Sequence, residues 1–331
     1  MRGVLFKKVS LLFVLAVSVT LVKAQQTAQK FIQETQYLLY LPEGYGSDTT
    51  TRWPLILFLH GSGESGTDLE KIKVHGPPKL IEAGKKFPFI VVSPQAPPQT
   101  GWKAEVLKGL LGDIKKKYRV DNDRVYLTGL SMGGFGTWDL SEKYPDEFAA
   151  IAPICGGGDA GKVWKLRHMP VWCFHGAKDN VVPVASSQIM VDALRKYNPG
   201  VKFTIYPEAD HNSWEVTYNN DSLYTWFLSQ KKFRYKPVMV QQKILKEYEG
   251  LYTNAKNDTL KIVLENEKLI AKPGRNTIEL KASSDTNFFW DTESVNEVQF
   301  LRDKKGTVTG LSILTDEKEE ARKIIAAKKA R

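Results

Sequence analysis

The chain has 331 residues, 42% hydrophobic and 25% charged, with a formal net charge of +10. That composition excludes a mostly disordered chain and leaves room for one large domain or two of ordinary size. The basic excess lacks the interleaved aromatic residues of a nucleic-acid platform, so no nucleic-acid partner is expected.

At the N-terminus, Lys7 and Lys8 precede an apolar run over 9–22, and Val22-Lys23-Ala24 is a small-x-small cleavage site. Residues 1–24 read as a signal peptide, so the protein is expected to be exported, periplasmic or secreted. The run is short for a membrane span, and no integral segment is expected after its removal. Two cysteines, Cys155 and Cys173, are too few for a disulfide scaffold. Both read as small buried hydrophobes on neighbouring strands, and whether they are bonded stays open.

Residues 31–41 read as a strand leading into the turn Pro42-Glu43-Gly44-Tyr45. Short apolar runs then recur at 53–59, 89–92, 124–129, 149–154, 170–174 and 202–206, as strands buried on both faces do. Helical stretches separate them at 69–83, 104–117, 135–143, 185–197 and 213–227. Strands alternating with helices predict an α/β domain with a mostly parallel sheet over 25–230. Residues 231–247 are basic and Pro-interrupted and read as a linker. From 248 to 315, short β-like pieces without helices predict a small antiparallel β domain. The charged tail, 316–331, reads as a frayed helix.

Gly129-Leu130-Ser131-Met132-Gly133 carries the chemistry. Gly-x-Ser-x-Gly alone is a weak signal. Here it follows a buried strand and opens a helix, the context a nucleophile elbow requires. A serine needs a base, and His211 follows the last predicted strand of the sheet. Asp179, past the fifth predicted run, fits as the acid that orients it, with Asp210 as a competitor. The order Ser131, Asp179, His211 is that of the α/β-hydrolase fold. The oxyanion donors are expected to be the backbone N–H groups of Met132 and of Ser62, with Gly63 the alternate for the second. His75 reads as a loop residue able to line the pocket, but more in keeping with the surface. His60 and His175, each before a glycine at a strand end, read as structural.

On these residues the chain resembles a known group. Leu59-His60-Gly61-Ser62-Gly63-Glu64, Val92-Ser93-Pro94-Gln95, Trp102, the segment Gly129 to Gly134, Asp179 with Val182-Pro183, and His211-Asn212-Ser213-Trp214 carry the likeness. Residues 35–230 resemble the phospholipase/carboxylesterase and feruloyl-esterase-like branch of α/β-hydrolases, some of which are labelled predicted peptidases. The C-terminal part resembles a small lipocalin-like β domain appended to secreted hydrolases, on Gly250-Leu251-Tyr252, Phe288-Phe289 and Phe300-Leu301-Arg302-Asp303. The resemblance implies ester hydrolysis through an acyl-enzyme, with a small-molecule or polysaccharide-linked ester as substrate and no metal or cofactor. A peptidase with the same triad and a non-catalytic carbohydrate-binding protein remain the alternatives. Gly63, Gln95, Trp102, Trp164 and Trp214 are expected to line the substrate cleft. The connection from Cys155 to Met169 is too short for a helical cap, which predicts an open site. The oligomeric state is not legible.

Overall fold

The computed structural model describes residues 35–47, 49–315 and 317–324. The expected signal peptide and the start of the first strand lie outside them. Seven strands form one sheet: β1 (Tyr37–Tyr40), β2 (Trp53–Leu59), β3 (Ile90–Pro94), β4 (Val120–Leu130), β5 (Ala150–Ile154), β6 (Trp172–Gly176) and β7 (Lys202–Tyr206), in the order β1-β3-β2-β4-β5-β6-β7. β1 runs antiparallel to β3, and every other pair is parallel. The helices are α1 (Gly76–Glu82), α2 (Ala104–Lys117), α3 (Met132–Lys143), α4 (Ala185–Arg195), α5 (Trp214–Tyr218), α6 (Asp221–Ser229) and α7 (Gln242–Glu247).

β2 shows why its sequence has no polar alternation. Leu55, Leu57 and Leu59 point into one core and Ile56 and Phe58 into the other, so both faces are covered. Two predicted helices are broken. The stretch 69–83 is a 3₁₀ turn, Leu69–Val74, followed by α1. The break is at Gly76, which has φ +62; a Cβ there would lie 2.5 Å from the Phe58 ring. The stretch 213–227 divides into α5 and α6 at Asn220, whose side chain caps the N–H of Ser222.

Glu142, near the end of α3, is buried, and its Oε1 has no hydrogen-bond partner among the described residues. Burial first, and the charge of Asp159 second, push its carboxyl up to about 8. A carboxyl raised in the folded state stabilises the fold less as pH climbs from its ordinary value through 8. Glu142→Gln is therefore expected to add on the order of 2–4 kcal/mol at pH 8–9 and little at pH 5. Melting curves across that range check it; a variant no more stable than wild type at pH 9 contradicts it.

Beyond α6 the chain forms a closed antiparallel barrel of eight strands: β8 (Gly250–Asn254), β9 (Thr259–Glu265), β10 (Lys268–Pro273), β11 (Ile278–Ala282), β12 (Asn287–Phe289), β13 (Glu297–Arg302), β14 (Val308–Leu314) and β15 (Lys318–Ile324). The expectation of a frayed helix after 316 is overturned. β15 pairs with β14 and β8 and closes the barrel. Its charged residues are helix formers, but they face outward while Ala321 is buried. Satisfying two open strand edges outweighs propensity. The expected linker also has structure: α7 places Leu245 in the barrel core. Aromatic rings fill the interior, with Tyr248 stacked on Phe300 at 3.9 Å and Phe288 edge-on to Phe300 at 5.4 Å.

The barrel docks at the edge of the sheet where β5 and β6 begin. Arg167 Nε lies 3.1 Å from Glu297 Oε1, and the Tyr235 hydroxyl donates to Glu297 Oε2 at 2.7 Å. His168 stacks on Phe233 at 4.0 Å, and the N–H of Val295 donates to Asp146 at 2.8 Å.

Candidate active site

The opposite edge of the sheet, where the parallel strands end, carries the candidate residues. Ser131 follows β4 with φ 51 and ψ −117, a strained conformation for a residue with a side chain. The flanking glycines are sterically required: a Cβ on Gly129 would sit 2.3 Å from Gly133 O, and one on Gly133 2.0 Å from Leu59 O. Helix α3 starts at Met132, and Phe135 N–H donates to the Ser131 carbonyl. The Ser131 hydroxyl therefore stands at a helix N-terminus, where negative charge is favoured.

His211, in the loop after β7, has Nε2 3.0 Å from Ser131 Oγ and Nδ1 2.8 Å from Asp179 Oδ2. The Asp179 side chain, in the loop after β6, is fully buried. Burial opposes its charge, but hydrogen bonds from His211 and from the N–H groups of Val182 and Val181 outweigh it. They hold the carboxyl below its ordinary value, so it stays ionised. Asp210, the competing acid, accepts instead from Asn212 N–H at 3.0 Å in its own loop.

β2 lies beside β4, pairing Leu59 with Gly129, so the loop after β2 reaches Ser131. A Cβ on Gly61 would meet Leu130 at 2.8 Å and Ser131 Cβ at 3.7 Å. Ser62 and Gly63 follow in a short 3₁₀ turn and are exposed. Glu64 holds this loop: its Oε2 accepts from Gly61 N–H at 2.9 Å.

The substrate-lining residues distribute unevenly. Trp214 stands between two histidines, edge-on to His211 at 5.0 Å and to His75 at 5.3 Å. Trp102 is half-buried, its Nε1 donating to His60 O at 3.1 Å. Gln95 departs from its expected role. It is buried, and its amide donates to the carbonyls of Glu64 and Asp68, both at 2.8 Å, so it braces the loop after β2. Trp164 departs too: it is buried in the turn Val163–Leu166, with its carbonyl accepting from Arg167 of the barrel contact. Sequence reasoning missed Phe135, an exposed aromatic one helical turn after Ser131; its i, i+4 spacing was the available signal. It also placed His75 too far out. His75 Nδ1 is 2.9 Å from Glu215 and its Nε2 3.9 Å from Glu64, in the loop after β2. Cys155 and Cys173 are free and buried.

Parts of the chain are similar to known proteins. Residues 99–223 match the dienelactone hydrolase family, and residues 234–328 match a domain of unknown function, DUF3471. The chain is 27% identical over 184 residues to the bifunctional acetylxylan esterase/xylanase XynS20E of Neocallimastix patriciarum, covering 52% of this chain and 26% of that one. It is 32% identical over 182 residues to poly(3-hydroxyalkanoate) depolymerase C of Paucimonas lemoignei, covering 47% of this chain and 41% of that one. The chain thus spans less than half the length of either relative. The solved structure of a thermostable esterase superposes with a TM-score of 0.51 at 31% identity, covering 59% of each chain. With a mostly parallel sheet and these matches, the protein is a hydrolase of the α/β-hydrolase fold in which residues 99–223 are similar to the dienelactone hydrolase family, followed by an antiparallel β-barrel.

Proposed function

We propose that the protein is a serine carboxylesterase acting on short-chain, aryl or carbohydrate-linked esters. The observation that carries this reading is the relay Ser131 Oγ–His211 Nε2 at 3.0 Å and His211 Nδ1–Asp179 at 2.8 Å, set at a helix N-terminus. His211 takes the Ser131 proton as Oγ attacks the ester carbonyl carbon. The N–H groups of Met132 and Ser62 receive the oxyanion. The C–O bond to the alcohol breaks, and His211 returns the proton to the leaving oxygen. Water, deprotonated by His211, then attacks the acyl-Ser131 carbonyl; the C–Oγ bond breaks, His211 returns the proton to Ser131 Oγ, and the acid is released. Asp179, held ionised, orients His211 and stabilises its charged form.

Two features support a small or planar substrate. The connection 155–169 contains only the turn Val163–Leu166, so no helical cap covers the site from there. The exposed ring of Phe135, one helical turn after Ser131, and the edge of Trp214 against His211 offer ring surfaces rather than a long apolar channel. The relatives' names, an acetylxylan esterase and a polyester depolymerase, agree with ester chemistry on polymers. Export is part of this reading and rests on residues 1–24; among the described residues no helix is long and apolar enough to cross a membrane.

A series of p-nitrophenyl esters from acetate to palmitate tests the reading. Rates are expected to be highest for the shortest chains, with no jump at the critical micelle concentration. A rate that climbs with chain length and jumps there would mark a lipase instead.

A further inference from the structure

Asp179 serves two histidines. Its Oδ2 lies 2.8 Å from His211 Nδ1 and 3.2 Å from Nε2 of His175, the penultimate residue of β6, whose side chain is fully buried. Its Oδ1 accepts from the N–H groups of Val181 at 2.9 Å and Val182 at 2.8 Å. Three hydrogen-bond donors thus converge on the carboxylate, and His175 Nε2 stands beside it at 3.2 Å.

The hydrogens around His175 can be counted. Its Nε2 is 2.8 Å from Val182 O, which can only accept. Its Nδ1 is 2.8 Å from Ser187 Oγ, and that oxygen is 2.7 Å from Gly156 O. A hydroxyl has one hydrogen, and two oxygens at 2.7 Å need it between them, so Ser187 donates to Gly156. Ser187 therefore turns a lone pair toward His175 Nδ1. Each ring nitrogen of His175 faces an acceptor, and a single-proton tautomer would leave one such contact without a hydrogen. We infer that His175 is a doubly protonated imidazolium, a buried positioning residue that shares the Asp179 carboxylate with His211. An ionised carboxylate 3.2 Å away is the counter-charge such a buried cation needs.

The kinetic consequence rests on the reading of Ser131, His211 and Asp179 as the reactive set; the charge state of His175 does not. A fixed positive charge beside Asp179 opposes protonation of His211. The other groups around the pair do not supply that charge. Cys155, from the end of β5, has its sulfur within 4.8 Å of the Asp179 and His211 ligand atoms. Cys173 lies in β6, beside Ser187. Burial pushes both thiols up to about 12, so they are neutral. Lys178 is exposed and paired with Glu208, and Asp210 accepts from Asn212 N–H.

Two measurements on the full chain test this. In ¹⁵N NMR of the histidine rings at pH 7, with His175→Gln to assign the signals, both His175 nitrogens are expected to carry hydrogen. One bare nitrogen overturns the inference. In kcat/KM against pH for p-nitrophenyl acetate, His175→Gln is expected to move the midpoint of the acidic limb up by about one pH unit. A purely structural role would lower rates without moving that midpoint, and an unmoved limb in the folded variant overturns the coupling. If His175→Gln does not fold, Ser187→Ala removes the Nδ1 acceptor, assigns the signals in its place, and is expected to shift the limb the same way by less. A wild-type protein with no ester activity would instead defeat the proposed function, while the NMR result would still decide the charge of His175.

Discussion

Ser131→Ala is expected to lower kcat on p-nitrophenyl acetate by about five to six orders of magnitude, with the melting temperature little changed. The reasoning is geometric. Ser131 Oγ is the atom that His211 Nε2 faces at 3.0 Å, and alanine leaves the base nothing to activate. His211→Ala should cost about as much, and the double variant no more, because the members of such a relay act as a unit. Asp179→Asn should cost about four orders of magnitude, since an amide nitrogen facing Nδ1 favours the wrong tautomer. The residual rate belongs to the Met132 and Ser62 N–H groups, which none of these changes touches. A Ser131→Ala protein that hydrolyses the ester at the wild-type rate would end the acyl-enzyme reading outright. So would a fluorophosphonate that labels the protein elsewhere than Ser131.

Much of this site was legible because its signals are local. A strand, a glycine-flanked serine and a helix are contiguous in the chain, and the steric demand on Gly129 and Gly133 is met within a few residues. The relay itself needed only the rule that loops after parallel strands gather at one edge. What was not legible depends on contacts distant in sequence. Gln95 is polar and sits just past a strand end, which reads as a substrate contact. Its actual partners are two carbonyls about thirty residues earlier, at Glu64 and Asp68. His75 precedes a Gly-Pro-Pro turn that suggests surface, yet Gly76 steers the chain against Phe58 and brings His75 beside Glu64 and Glu215. β15 is composed like a helix, and only the open edges of β14 and β8 make it a strand. Trp164 could not be told from a cleft residue without the barrel that Arg167 binds.

Glu297→Ala is expected to lower the stability of the whole chain by about 3–5 kcal/mol while leaving the small-ester rate at 25 °C unchanged. Glu297 and Arg167 side chains are 5% and 7% exposed, so removing the carboxylate strands a buried guanidinium. It also leaves the Tyr235 hydroxyl and His168 without their shared acceptor. Burial opposes the charge on Glu297, but the His168 contact, the Arg167 charge and the Tyr235 hydroxyl together bring its carboxyl down to about 2. A carboxyl depressed in the folded state contributes stability that is fully present above its ordinary value and is lost as pH falls toward 2. Wild type and Glu297→Ala should therefore differ most in melting temperature above about pH 5, and their curves should converge toward pH 2. Replacing both partners, as in Arg167→Met with Glu297→Leu, should recover part of the loss, because no charge is then left buried. The catalytic rate is the discriminating readout. The ion pair lies at the edge where β5 and β6 begin, and Ser131, Asp179 and His211 lie at the edge where strands end. A fall in kcat without a fall in melting temperature would mean that the barrel acts on the site itself and is more than a docked partner of the sheet.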